Sequence, residues 1–146
     1  MNNLIEFNGI DSLRDYDFKH SISEKIEGQI KIEGDVKSLS GVSIHKEIMN
    51  HKVIDAFEEI NYDGEEFHSN IIIFQCKFSI YFEYGDSENF GTLKVLNHIV
   101  YKTFYTSLKD YDGSYLDLNI LATNLFATIV KTNEIFYCAN ISICIN

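Results

Sequence analysis

An α+β domain is predicted, with an antiparallel sheet of about four strands and two helices packed on one face. Three observations carry this reading: a long stretch of strict two-residue alternation, a second stretch whose apolar residues recur at helical spacing, and a size and composition suited to one core. The chain has 146 residues, 45% of them hydrophobic and 23% charged, with eleven Phe and nine Tyr. That length falls in the usual range for one domain, so residues 1–146 are read as a single folding unit. Proline and tryptophan are absent, so turns must be built from Gly, Asn and Asp rather than from a pre-set proline φ.

The clearest strand spans 70–84. Ile72, Phe74, Cys76, Phe78, Ile80, Phe82 and Tyr84 fall on one face, and Gln75, Lys77, Ser79, Tyr81 and Glu83 on the other. A helix does not generate that period. Gly85-Asp86-Ser87 ends it as a turn. A second alternation runs from Lys25 to Lys37, with Ile26, Ile30, Ile32 and Val36 opposing Lys25, Glu27, Lys31, Glu33 and Asp35. It reads as a half-exposed antiparallel strand with a charged outer face, and Gly28 and Gly34 mark a bulge or bend. At the C-terminus Ile135, Tyr137, Ala139, Ile141, Ile143 and Ile145 alternate with Phe136, Cys138, Asn140, Ser142, Cys144 and Asn146 as a further strand. Leu4–Phe18 alternates poorly and reads as one more strand broken near Gly9.

The first helix is placed at 91–109, where Leu93, Leu96, Val100 and Phe104 form a stripe widened by Val95, Ile99 and Leu108. Asp110-Tyr111-Asp112-Gly113 would end it, with Gly113 in the left-handed position past the last turn. A shorter helix is placed over Thr123–Lys131. The spacing of Ile44, Ile48, Val53, Phe57 and Ile60 is mixed and leans to helix, before a turn at Asn61-Tyr62-Asp63-Gly64.

No motif for catalysis stands out. There is no Gly-x-Ser-x-Gly and no glycine-rich phosphate loop. The histidines His20, His45, His51, His68 and His98 lack metal-ligand spacing. The stretch Asp110 to Asp117 offers carboxylates, but its glycine and its twelfth residue, Leu121, do not fit a calcium loop. The carboxylate pairs Glu58-Glu59, Glu65-Glu66 and Asp15 with Asp17 sit in polar runs beside turns, unlike an acid–base pair sharing one cleft. No enzyme activity, cofactor or metal is therefore expected.

A formal charge of −10 with a single arginine, Arg14, excludes phosphate-neutralising nucleic-acid binding. It points instead to solubility through self-repulsion or to a basic partner. Met1 to Glu6 has no signal-peptide character, and apolar runs such as Ile71-Ile72-Ile73-Phe74 are far too short to cross a bilayer. Three unpaired-looking cysteines, Cys76, Cys138 and Cys144, fit reduced thiols in a cytoplasm. Tyr101, Phe104 and Tyr105 are either core or the floor of an apolar groove. Since a helix covering a sheet needs only about 100° of apolar surface, the excess on 93–108 implies a second copy or a client.

Ile99-Val100-Tyr101 through Ser107, followed by Tyr111-Asp112-Gly113-Ser114-Tyr115-Leu116-Asp117-Leu118-Asn119-Ile120, resembles the SecB family of export chaperones. Tyr101 falls on the tyrosine of that family's helical Pro-Tyr pair, Gly113 on its glycine, and Leu118-Asn119-Ile120 on its Leu-Asn-Leu-like stretch. Phe74-Gln75-Cys76 and Phe7-Asn8-Gly9-Ile10 with Asp17-Phe18 are similar to its strands. Val100 and Ala122 stand where the family has prolines, Ser38–His68 has no counterpart, and a C-terminal strand would be an addition. The resemblance covers about half the chain. It implies an ATP-independent, cytoplasmic holdase linked to protein transport. Such a protein would be a homo-oligomer, a tetramer if SecB-like, binding unfolded polypeptide through apolar residues, here Phe78, Phe82, Tyr101, Phe104 and Tyr105. The rival expectation is a small acidic inhibitor or decoy from a phage or mobile element, blocking a basic surface of a target protein. The Asn-, Ile-, Lys- and Tyr-rich composition is compatible with such an origin. Neither reading involves nucleic acid or membrane.

Overall fold

The computed structural model describes residues 5–12, 20–60, 66–87, 91–109 and 116–146, and among these the fold is all-β with no helix. The seven strands are β1 (Glu6–Asn8), β2 (His20–Lys31), β3 (Ser38–Ile60), β4 (Glu66–Gly85), β5 (Leu93–Lys109), β6 (Leu118–Lys131) and β7 (Glu134–Ile145). They form a four-stranded sheet in the order β1-β3-β4-β5 and a three-stranded sheet in the order β2-β7-β6. Every neighbouring pair is antiparallel except β1 with β3.

The α+β expectation is thus overturned, and each misplaced helix has an identifiable cause. The segment 91–109 is strand β5, paired with β4 from Gly85↔Leu93 to Ser69↔Lys109. Leu96, Val100, Phe104 and Leu108 recur every four residues, and four is a multiple of two. The same spacing therefore places all of them on one face of a strand. The run Ile99, Val100, Tyr101, Thr103, Phe104, Tyr105, Thr106 is β-branched and aromatic, and such side chains suit a pleated surface. The segment 123–131 belongs to β6. A bulge between Ala122 and Asn124 switches the inward parity from Ala122 to Leu125, Ala127 and Ile129. Phe126 and Val130 emerge on the other face, so apolar residues on both faces imitate a helix. The segment 43–60 lies in β3, where register shifts between Ile48 and Asn50 and between Asp55 and Phe57 break the period. A bulge adds one residue to one strand and changes which residues face the core.

The three alternations are strands. Ile72 through Tyr84 are buried along one face of β4, as are Ile135 through Ile145 along β7. The 25–37 pattern is strand only to Lys31, after which Gly34, at φ 87°, turns the chain; Ile32 and Val36 nevertheless remain buried. Near the N-terminus the strand among the described residues is Glu6–Asn8. Residues 13–18, the turns expected at 61–64 and 110–113, and most of the 110–117 loop lie outside the described residues.

The apolar faces of the two sheets meet in one core. Phe82 of β4 packs against Tyr137 of β7 with ring centroids 6.0 Å apart, while Phe78 meets Phe104 edge-on at 6.3 Å within its own sheet. The margins are tied as well. The Asp11 backbone N–H donates to the Ala122 carbonyl at 2.7 Å, and the Ala122 N–H donates to the Asp11 carboxylate at 2.9 Å. Lys46 of β3 pairs with the same carboxylate and donates to the Gly9 carbonyl at 3.2 Å. At the other margin Lys102 of β5 donates to the Lys25 carbonyl at 3.1 Å and pairs with Glu24 at 3.3 Å, bringing β5 over β2. No helix of the described residues is long and apolar enough to cross a membrane.

Candidate protein-binding face

Directly paired residues of neighbouring strands project to the same side of a sheet, so the register assigns every side chain of β5 to a face. Leu96, Val100 and Phe104 pair with Phe82, Phe78 and Phe74 and point toward the core. Leu93, Val95, Ile99, Tyr101 and Tyr105 pair with Gly85, Glu83, Ser79, Lys77 and Ile73 and point away from it. The outward set is conspicuously uncovered, with Tyr101 65% and Tyr105 69% exposed. Tyr81 on β4 and Ile54 on β3 extend the apolar surface across the sheet.

Beside Tyr105 the face becomes concave. The bulge after Ile48 kinks β3 and opens a depression of about 520 Å³ lined by Asn50, His51, Lys52, Ile54, Ile73 and Gln75. Ile73, the direct partner of Tyr105, joins this depression to the apolar row of β5.

β5 is also the edge of its sheet, with no strand on its far side among the described residues. Exposed edges are commonly guarded by Pro or by charged side chains. The chain has no Pro, and no charged residue occupies the outward positions of β5 from Leu93 to Ser107. Lys94 and Lys102 belong to the core-facing parity, and Lys102 is held by Glu24.

Of the residues expected to bind a partner, the structure therefore brings Tyr101 and Tyr105 to a surface and withholds the other three. Phe78 and Phe82 are 0% exposed and Phe104 is 1% exposed. They lie on the opposite side of the sheet from the tyrosines and serve the core. Leu93, Val95 and Ile99 join the face in their place. On a helix Leu93 belongs to the stripe with Leu96, Val100 and Phe104, and Val95 and Ile99 to its flanks; the signal that separates the three from the core-facing residues is the odd–even parity of a strand.

Elsewhere the polar chemistry is internal. Burial pushes the Cys76 thiol up to about 11 and raises Cys144 as well, so neither favours a reactive thiolate. Among the described residues no group of three or more His, Cys, Asp or Glu is arranged to hold a metal ion. Between the sheets Tyr137 Oη lies 3.3 Å from His98 Nε2, with the rings 5.4 Å apart. Burial lowers the His98 pKa below its ordinary 6.5 and raises that of Tyr137. A folded-state pKa below the unfolded one means that the unfolded chain takes up the proton more readily. The His98 contribution to stability is thus fully present above pH 6.5 and is lost as pH falls through the folded value. Denaturant midpoints measured between pH 7.5 and 5 should fall more steeply for the native protein than for His98→Gln; parallel curves would remove His98 from this role.

No protein-family model, curated protein or solved structure matches this chain. The segment that resembles SecB falls on other elements here. Ile99–Ser107 is strand, Leu118-Asn119-Ile120 opens β6, and Phe74-Gln75-Cys76 lies within β4 rather than at its start. The helices that the resemblance implies are absent from the described residues.

Proposed function

We propose that this protein is a non-catalytic binding module that holds extended, unfolded polypeptide on the outer face of its four-stranded sheet without nucleotide. The observation that carries the reading is the uncovered row Leu93, Val95, Ile99, Tyr101 and Tyr105 on the outer face of the edge strand β5. Apolar patches of this kind are rarely left bare on a soluble chain that has no partner. Aromatic residues presenting a rigid apolar body and a polar tip are favoured at contact surfaces. An extended client can lie along the pleat and place alternate side chains over the tyrosines and into the depression beside Ile73. This is the kind of work that the SecB resemblance implies, performed on a different scaffold. All three cysteines are free thiols, which supports a reducing, cytoplasmic setting.

The acidic-inhibitor reading retains one observation of its own. The net charge of −10 suits a basic protein surface. Light scattering of an aggregating, chemically unfolded protein discriminates the two. The binding module suppresses aggregation at near-stoichiometric ratios without ATP, and the suppression persists at high salt because its contacts are apolar. Unchanged aggregation, or suppression confined to basic clients and abolished by salt, would favour the inhibitor.

A further inference from the structure

We infer that β5 is the joint between two copies of this chain, pairing antiparallel with β5 of a second copy so that the two four-stranded sheets become one. A two-fold interface requires self-complementarity: whatever one residue meets across the axis must meet it in return. The β5 sequence has this property about Val100. With Val100 opposite its own counterpart, the outward face sets Val95 against Tyr105, Asn97 against Thr103 and Ile99 against Tyr101, each pair occurring twice. These are aromatic with β-branched and polar with polar, the combinations that stabilise cross-strand neighbours. The inward face sets Leu96 against Phe104, His98 against Lys102 and Lys94 against Thr106. From Lys94 to Thr106 apolar meets apolar and polar meets polar, no lysine faces a lysine, and only at the ends does Leu93 meet Ser107.

Charge favours the same joint. In a chain of net charge −10, most surfaces of two copies repel each other. β5 carries Lys94, Lys102 and Lys109 and no Asp or Glu, so the joint falls where the excess negative charge is missing. Pairing would provide roughly one backbone hydrogen bond per paired residue along an edge that has no neighbouring strand among the described residues. It would also merge the two rows Val95, Ile99, Tyr101 and Tyr105 into one apolar face spanning both copies. The inference is independent of what that face binds, because it rests on the symmetry of β5 rather than on exposure.

Sedimentation equilibrium at micromolar concentration tests it, with circular dichroism confirming that each variant is folded. The native protein should show twice its 16.9 kDa chain mass, or an even multiple of it. Ile99→Lys/Tyr101→Lys and Ile99→Glu/Tyr101→Glu should each sediment as single chains, because like charges then stand opposite across the axis. An equimolar mixture of the two should recover the paired mass, because Lys then faces Glu. Three results overturn the joint: a native protein of single-chain mass, charged variants that remain paired, or a mixture that stays unpaired. A paired protein that leaves aggregation unaffected would sink the proposed function and spare the joint. A single chain that suppresses aggregation would do the reverse.

Discussion

Phe78→Asp should abolish cooperative folding, whereas Lys77→Asp, one residue earlier, should cost less than about 1 kcal/mol. Phe78 is wholly buried, meets the Phe104 ring edge-on and faces the second sheet. Truncation to Ala alone removes a large aromatic side chain from close packing, a change that typically costs about 3–5 kcal/mol. A carboxylate there adds desolvation, and Lys46, its cross-strand neighbour, is already paired with Asp11. Against a typical domain stability of about 5–15 kcal/mol, the combined loss is sufficient to unfold the chain. Lys77 projects from the other face, beside Glu47 and Tyr101, and remains partly in water. Denaturant titrations of Phe78→Ala, Phe78→Asp and Lys77→Asp measure the contrast. Similar losses at positions 77 and 78 would show that both faces of β4 are equally covered, contrary to the sandwich described above.

The same face-by-face logic explains what could be read from the amino-acid order. β4 and β7 were legible because no bulge interrupts the stretches Ile72–Tyr84 and Ile135–Ile145, and each has one thoroughly apolar face. β3 and β6 were not, because the extra residues at Ile48/Asn50 and Ala122/Asn124 shift the apolar positions from even to odd. A reader counting periods sees such a shift as loss of the strand signal. β5 failed for another reason. Both of its faces are partly apolar, so the alternation that identifies a half-buried strand is weak, and the four-residue step from Leu96 to Phe104 satisfies either period. What should have weighed more is the density of β-branched and aromatic residues in 99–106.

The candidate site was half legible for a related cause. An excess of apolar surface on 93–108, with Tyr101 and Tyr105 within it, was visible without a fold. Which side of the strand the second sheet would cover was not, since that depends on contacts between residues far apart in sequence, such as Phe82 with Tyr137. Phe104 was grouped with its neighbours Tyr101 and Tyr105 because, on a helix, all three can share a broad apolar flank. On a strand Phe104 necessarily faces away from Tyr105.

The claim that the outer face of β5 binds unfolded polypeptide is tested most directly by the affinity of a fluorescent, permanently unfolded polypeptide for the native protein and for Tyr101→Asp/Tyr105→Asp. Both tyrosines are mostly exposed, so their replacement should cost no more than about 1 kcal/mol of stability each. Losing two aromatic anchors from a contact surface should cost at least about 2 kcal/mol of binding, roughly a thirtyfold weaker Kd. The double variant should fold and its Kd should rise by at least that factor, with Tyr81→Asp weakening binding less. A double variant that melts like the native protein and binds the polypeptide with the same Kd would contradict it.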